Sequence, residues 1–313
     1  MSQNKSLSTQ EVADILHVSK NTIYGLIRRG EINSYKIGRK VRFTQEDVDA
    51  YIARSRHTYN MPQIRQVKVS SSLLYGEKVQ DNYFILSGQD VVLDILSNYL
   101  RRYGIQAVRA YVGSFESLLS LYQDNVQVAT CHLWDGDHDE YNVPYVRRLI
   151  PGTPAVIINM TYRMQGFYVA KGNPKGIKSW EDLSREDVTI INRRKGSGSR
   201  ILLDEHLRKR NIPASQINGY YNEMSSHLTL ASVISKGEAD VGLGTERVTR
   251  QVDGIEFVPL QRERNDLIVK KETFDTFEVQ KMLEVLRSVE FQSEIASVSG
   301  NDYSDMGKIL AEV

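Results

Sequence analysis

The hydrophobic positions near the start of the chain follow the spacing of two short amphipathic helices. The residues that share a helical face are Val12, Ile15 and Leu16 in the first segment and Ile23, Leu26 and Ile27 in the second. Ser8 and Glu11 have the spacing of a capping box, and Ser19 is placed to cap the run of residues 20–29. The pattern therefore predicts two helices joined by a tight turn.

A strand-like pattern follows the second helix, where Gly30 ends the helical spacing. Residues 32–43 read as two short strands that turn at Gly38, with basic side chains around the tip. Thr44 and Asp47 then repeat the capping-box spacing. This box predicts a third helix with three inward-facing residues, which are Val48, Tyr51 and Ile52.

The side chains left outside these hydrophobic faces are of types that bind phosphates and base edges. They are Ser19, Lys20, Asn21, Thr22, Tyr24, Arg28 and Arg29 on the second helix and Lys36, Arg39, Lys40 and Arg42 on the pair of strands, which we call the wing. Residues 1–56 hold ten lysines and arginines against six acidic residues, a net charge of +4, whereas the remaining chain carries −3. We expect this segment to bind double-stranded DNA, although any single charge here has the alternative of being an ordinary solvated one.

A different pattern begins at Asn82, where β-rich runs alternate with helical ones. The runs are 83–86, 107–111 and 126–131 for strands and 91–103 and 114–122 for helices. This alternation predicts an α/β domain. Residues 57–81 break the periodicity, so we expect a DNA-binding domain over 1–56, a linker over 57–81 and a second domain over 82–313.

Small polar residues recur between strand and helix in the second domain. They lie at Ser87-Gly88-Gln89-Asp90, at Gly113-Ser114 and at Gly196-Ser197-Gly198-Ser199-Arg200. Such turns aim backbone N–H groups and hydroxyls at a helix N-terminus, where the helix dipole favours a bound anion. A serine in one such turn is ordinarily a helix cap, but three turns together indicate an anion site.

The sequence lacks the motifs of several classes of enzyme and metal-binding protein. The chain has no phosphate-binding P-loop, no nucleophile elbow and no metal-spaced cluster among its six histidines, so we predict neither catalytic nor metal-binding residues. The loop 135–140 is acidic and is read either as a cation site or as a solvated loop. Cys131 is the only cysteine in the sequence and is expected to be a buried thiol.

With neither a signal-like N-terminus nor a membrane-length apolar stretch, we expect a cytoplasmic protein that does not contact the membrane.

The first domain resembles the excisionase/MerR-like winged helix-turn-helix over its whole length. The matching pattern runs from Leu7-Ser8-Thr9-Gln10-Glu11-Val12-Ala13 through Val18-Ser19 and Thr22-Ile23-Tyr24 to Gly30. The resemblance implies that the second helix enters the major groove and that the wing contacts the flanking backbone.

The second domain resembles the periplasmic-binding-protein-like domain associated with molybdate and tungstate metabolism. The matching segments are 192–204, 217–220, 237–244, 87–90, 132–135, 163–166 and 263–267, with Glu223 and His227. Ser199 and Trp134 depart from the usual threonine and leucine of the family. The resemblance implies a type II fold of two lobes: an outward crossing at 155–159 and 166–170, a second lobe at 188–244, a return at 256–260 and 267–270, and a C-terminal helix, 277–289, on the first lobe.

Together these readings predict a small winged helix-turn-helix domain followed by a two-lobed ligand-sensing domain. The expected ligand-binding residues are Ser87, Gly88, Gly113, Ser114, Arg163, Ser197, Gly198, Ser199, Arg200 and His227. Arg200 has the alternative of an ion pair within a lobe, and His227 that of a structural histidine. We expect a homodimeric one-component transcriptional regulator with molybdate or tungstate as effector and no cofactor. The alternative is a binding or scaffold protein in molybdenum or tungsten cofactor assembly.

Overall fold

The computed structural model describes residues 6–51 apart from 17, 29–31, 39 and 49–50, together with 83–299 and 301–313. The chain divides between Arg65 and Gln66 into two compact units, each described by itself below. None of the helices in these ranges is both long enough and apolar enough to cross a bilayer.

The first unit consists of three helices and a small antiparallel sheet. Its helices are α1 (Thr9–Ile15), α2 (Lys20–Arg28) and α3 (residues 45–48), and its strands are β1 (Leu7–Ser8), β2 (Tyr35–Ile37) and β3 (Lys40–Phe43). The strand order is β1-β3-β2. Side chains from the three helices and the sheet form one buried cluster. It includes Val12, Ile23, Leu26, Phe43 and Val48.

The predicted caps of this unit are confirmed. Ser8 Oγ accepts from the Glu11 amide at 3.3 Å, while the Glu11 carboxylate accepts from the Ser8 amide at 2.7 Å. Ser19 Oγ accepts from the Thr22 amide at 3.2 Å, and Thr44 forms the same reciprocal box with Asp47. Gly38 has a φ of +60°, which explains why the wing turns there.

Two expectations for this unit need correction. Ile15 was expected to face inward, but 41% of it is exposed because α1 ends at this residue and Leu16 packs against the core instead. Strand β1 was not predicted at all, because a two-residue strand has no detectable alternation; it pairs with β3 through Leu7 and Phe43. Ile52 and the linker expected over 57–81 lie outside the described residues.

The second unit contains two α/β lobes. The first lobe holds β4 (Phe84–Ser87), β5 (Ala107–Ala110), β6 (Val128–Cys131) and β14 (Ile309–Glu312), with α4 (Val91–Arg102), α5 (Ser114–Tyr122), α6 (Val143–Leu149), α9 (Phe277–Arg287) and α10 (Val289–Ser299). Helix α9 packs on α4 through Val279, Met282 and Leu283, as predicted for the C-terminal helix. The second lobe holds β10 (Asn192–Arg193), β11 (Glu223–Met224) and β12 (Val241–Thr245), with α7 (Gly198–Lys209) and α8 (His227–Ser235).

Two long antiparallel strands cross from one lobe to the other. Strand β9 (Ala155–Ala170) and strand β13 (Ile255–Lys270) each have 16 residues and pair along their whole length. The sequence predicted two short strands in each place, because polar residues interrupt the apolar pattern at their centres. These residues stay within the strands since they pair with each other across the ladder, with Glu263 opposite Arg163.

A short hairpin from the first-lobe side packs into the core of the second lobe. The hairpin consists of β7 (Trp134–Asp135) and β8 (Glu140–Tyr141). The ring of His206 on α7 lies between Trp134 and Trp180, with ring centroids 4.3 and 4.0 Å apart and interplanar angles of 21° and 19°. We call this stack the tryptophan clasp. Burial lowers the pKa of His206 to about 4, assisted by the nearby charges of Arg210 and Lys209 and opposed by its hydrogen bond to Gln261.

From the low pKa of His206 in the clasp we predict that the second unit becomes less stable as pH falls. Between pH 6.5 and pH 4 the unfolded chain protonates His206 while the folded chain does not, so its contribution to stability falls as pH falls, by on the order of 2 kcal/mol. His206→Phe keeps a ring in the stack but does not titrate, so the free energy of unfolding should depend less steeply on pH over this range. Urea unfolding followed by fluorescence measures this, because both tryptophans of the chain lie in the clasp.

The matched control is His138→Gln, which removes a histidine whose side chain is 58% exposed. It should keep the wild-type slope. Parallel slopes for wild type and His206→Phe would contradict the proposed origin of the acid sensitivity.

Candidate functional site

Four helix N-termini converge on one cavity between the two lobes. Their N-cap residues are Asp90 for α4, Gly113 for α5, Ser197 for α7 and Ser226 for α8. Residues from all four turns line a cavity of about 410 Å³. Because each N-terminus carries partial positive charge and unpaired amides, the cavity is polarised toward an anion.

Two glycines allow the backbone to approach the floor of this cavity closely. Gly88 has a φ of +143°, and a Cβ there would lie 1.7 Å from Thr130 Oγ1. A Cβ on Gly198 would lie 2.3 Å from the His132 ring. Side chains at either position would push the helix-start turns away from the floor. Both positions therefore require glycine for packing, and Gly88 also requires it for its backbone conformation.

The floor of the cavity is an ion-pair network on the crossing strands, which we call the Arg163 network. Arg163 Nη1 donates to Asp90 Oδ2 at 2.6 Å, and Arg163 Nε donates to Glu263. The second oxygen of Glu263 contacts His132 Nδ1 at 2.8 Å and accepts from Gln165 Nε2 at 2.7 Å. Arg163 is thus paired with two carboxylates before any ligand is present.

Electrostatics keep this network charged in spite of its burial. Burial disfavours the carboxylate of Glu263, but the charges of Arg163 and His132 outweigh it and lower the pKa of Glu263 to about 2. For Arg163, the carboxylates of Glu263 and Asp90 outweigh burial and raise the pKa above its usual value. The network is therefore a set of compensated charges.

In contrast to Arg163, Arg193 is a buried cation without a carboxylate partner. It is 3% exposed, and its Nη2 donates only to neutral oxygens, Gln89 Oε1 at 3.1 Å and the Ser225 carbonyl at 3.0 Å. Its Nε is buried without a hydrogen-bond partner. Burial, assisted by the charges of Arg163 and Arg194, lowers its pKa to about 10, so it remains a cation at neutral pH. Among the buried lysines and arginines of the described ranges, only Arg193 lacks a carboxylate partner.

His227 begins helix α8 and also lines the cavity. Its Nδ1 is buried and has no hydrogen-bond partner, so it is not the satisfied structural histidine of the alternative reading. Burial lowers the pKa of His227 well below its usual value, and the charges of Arg193, Arg163 and His132 lower it further. His227 is therefore neutral in this structure at pH 7.

Eight of the ten expected ligand residues lie around the cavity. They are Gly88, Gly113, Ser114, Arg163, Ser197, Gly198, Ser199 and His227. Their hydroxyls are already partly used: Ser197 Oγ caps α7 at the Arg200 amide, and Ser199 Oγ contacts Gln165. The structure thus brings the three predicted turns to one place.

Ser87 and Arg200 do not line the cavity. The Ser87 side chain is fully buried behind it, where its hydroxyl accepts from Ser117 Oγ at 2.8 Å, because successive side chains of a strand point to opposite faces. Arg200 pairs with Asp204 at 3.0 Å and Glu223 at 2.8 Å. It adopts the ion pair within a lobe that was its alternative reading.

Sequence reasoning missed several residues that line the cavity, above all Arg193. It precedes Arg194 and Lys195, which are exposed, so the three look like one solvated basic run. Asp90 was taken as part of a turn rather than as a partner of Arg163, and Gln89, Thr130, His132 and Asn265 were not singled out. The signal that could have identified Arg193 is the apolar run that leads into it, because the chain stays buried through Arg193, the last residue of β10.

Asp135 ties the acidic loop into the fold. Asp135 is buried and accepts from the amides of Asp137 and His138 at 2.9 and 3.1 Å, and Arg148 pairs with it. No group of three potential metal ligands occurs among the residues that the structure describes. Cys131 is buried, as expected.

The first unit exposes most of the predicted DNA-contacting side chains that are described. Ser19, Lys20, Thr22 and Tyr24 are exposed on or beside α2, Lys36 and Lys40 are exposed on the wing, and Arg42 is half-buried. Arg29 and Arg39 lie outside the described residues, as do the side chains of Asn21 and Arg28. The described surface is therefore basic and polar on both the helix and the wing.

Comparisons with known proteins match both units. Residues 6–56 match a helix-turn-helix domain, and residues 97–287 match the PBP superfamily domain. The uncharacterized protein YvgK of Bacillus subtilis is 36% identical to this chain over 314 residues, which cover 100% of both proteins. The two-unit organisation is thus shared along the whole length of that relative.

Solved structures resemble the second unit in fold. The tungstate ABC transporter structure from Geobacter sulfurreducens aligns with a TM-score of 0.52 and 13% identity, covering 69% of this chain and 98% of that one. EhuB in complex with hydroxyectoine aligns with a TM-score of 0.51 and 13% identity, covering 71% and 90%. At this identity the likeness establishes the two-lobed fold alone.

The contrast between the two cleft arginines predicts that their replacement changes the free energy of unfolding by very different amounts. Arg163→Met leaves Asp90 and Glu263 buried without their cation and should lower the free energy of unfolding by about 3 to 5 kcal/mol. Arg193→Met removes an uncompensated buried charge and should change it by no more than about 1 kcal/mol in either direction. Urea unfolding followed by tryptophan fluorescence compares the two, and equal losses would contradict this assignment of charges.

Proposed function

The chain belongs to the family of the PBP superfamily domain and carries an N-terminal helix-turn-helix domain, and from this premise we propose that it is a one-component transcriptional regulator. In this proposal the first unit binds double-stranded DNA and the second binds a small oxyanion. Ligand binding then changes operator affinity. The protein acts in the cytoplasm as a homodimer on two half-sites, and it catalyses no reaction.

Arg193 is the observation that supports an anionic effector. A buried cation without a carboxylate, placed where four helix N-termini meet, is costly unless an anion joins it. Ser114 and the α7 turn supply further donors on opposite sides of the cavity. The predominance of donors at helix starts suits an oxyanion better than a cation or an apolar molecule.

Molybdate and tungstate are the first candidates within this class. The resemblance of the cleft segments to the molybdate and tungstate family supports them, as does the tungstate transporter among the related folds. A cavity of about 410 Å³ exceeds the size of one tetraoxoanion, so ordered waters would bridge part of the contact.

The DNA-binding part of the proposal predicts a change in salt dependence. Replacing both Lys36 and Lys40 with alanine removes two exposed wing cations, so the slope of log affinity against log salt should become shallower by roughly two for duplex DNA of random sequence. Fluorescence anisotropy across a salt series measures the slope. Lys236→Ala, an exposed lysine of the second unit, is the control and should keep the wild-type slope; a wing double variant that also keeps it would contradict the docking.

The effector part predicts a reciprocal link between anion and DNA. Isothermal titration calorimetry measures binding of molybdate or tungstate, and the saturated protein should bind its operator with an affinity changed by about five- to 150-fold. Arg193→Met should weaken anion binding by roughly 10- to 100-fold, the value of a hydrogen bond to a charged partner, while anion-free DNA binding stays unchanged. Wild-type protein that binds neither oxyanion at millimolar concentration would overturn this effector assignment.

A further inference from the structure

Two unpartnered polar groups lie near each other at the second-lobe side of the cavity. They are Arg193 Nε and His227 Nδ1, and neither has a hydrogen-bond partner. Strand β10 pairs in parallel with β11, with Arg193 opposite Met224, and Arg193 also bonds the carbonyl of Ser225 at 3.0 Å. Since His227 follows two residues after Ser225, the backbone places the imidazole beside the guanidinium.

The charges around His227 do not offer it a counterion. Arg193 on β10, Arg163 on β9 and His132 after β6 all disfavour its protonation. The carboxylates in the cleft are already paired, since Asp90 bonds Arg163 and Asn265, and Glu263 bonds Arg163, His132 and Gln165. Glu223 on β11 pairs with Arg200. An anion in the cavity would be the first negative charge available to this imidazole.

We propose that His227 takes up one proton when a doubly charged oxyanion enters the cleft, and that this proton makes His227 the residue that selects divalent over monovalent anions. The inference rests on the proposed function, because it concerns the same site. Before binding, Arg193 is the buried cleft cation without a carboxylate partner. After proton uptake, the imidazolium of His227 becomes a second such cation, so two cations without carboxylate partners face the dianion.

The chemistry of the imidazole requires this step for a fully ionised ligand. A neutral imidazole has one N–H and one lone pair, and the backbone carbonyl of Leu243 is the neighbour that favours a ring N–H. Because Nδ1 is the unpartnered nitrogen, the N–H belongs at Nε2 and the lone pair at Nδ1. A lone pair facing an oxyanion is repulsive, whereas Nδ1–H in the imidazolium donates to it.

Linkage then ties affinity to pH. If one proton is bound together with the anion, the affinity for a dianion should rise close to tenfold for each pH unit lowered, over the range in which free His227 is neutral. A monovalent anion gains less from the second charge and should show a weaker dependence. Molybdate and sulfate are suitable probes because both are fully ionised near neutral pH.

Isothermal titration calorimetry of the full chain tests the proposal directly. Molybdate and sulfate are titrated at pH 7 in buffers of different ionisation enthalpy, and the slope of observed enthalpy against buffer enthalpy gives the protons taken up. We expect wild type to take up close to one proton per anion bound. His227→Gln, which can hydrogen-bond but cannot titrate, should take up close to none and bind the anion roughly tenfold or more weakly. His138→Gln, outside the cavity lining, should behave as wild type.

The outcomes separate this proposal from the proposed function. Binding without proton uptake in wild type overturns the role of His227 and leaves the anion sensor standing, as does uptake that persists in His227→Gln. If neither molybdate nor sulfate binds, both the role of His227 and the proposed anion-sensing function are overturned. Should His227→Gln fail to fold, the wild-type affinity measured at pH 6.5, 7.0 and 7.5 decides alone, since a flat profile contradicts the proposal.

Discussion

The contact between Arg163 and its two carboxylates is the constraint on which the second unit depends. Asp90 belongs to a helix start of the first lobe, while Arg163 and Glu263 face each other on the crossing strands. Gln165 extends the contact to Ser199 at the start of α7. One buried network thus joins the two sides of the cleft, and Arg193 lies outside its charge pairing.

Much of the architecture could be predicted because it follows from local patterns. Helix α5 has the bounds that its apolar spacing indicates, and the caps at Ser8, Ser19 and Thr44 form as expected. The crossing strands could be predicted only as fragments. Several of their central polar residues, such as Gln165 and Glu263, are fully buried because partners distant in the chain satisfy them, and no local pattern records such partners.

The cleft was predictable in position and less so in detail. Glycine and serine at strand-to-helix turns locate the helix N-termini, and Gly88, Gly113 and Ser197 from these turns line the cavity. The direction of a single side chain is a different matter. Ser87 and Arg200 point elsewhere because of strand alternation and local ion pairing, and Arg193 was hidden in a basic run. These outcomes depend on one-residue register, which composition and spacing do not determine.

The position of β14 has a consequence for how the second unit is assembled during synthesis. This strand pairs with β9, about 150 residues earlier, and α9 packs on α4 across the whole second lobe, so the first lobe is assembled from segments on both sides of the second. The helix-turn-helix domain is synthesised completely before the last strand of the second unit exists. A nascent chain therefore passes through a stage in which the first unit can fold while the first lobe of the second unit is still incomplete.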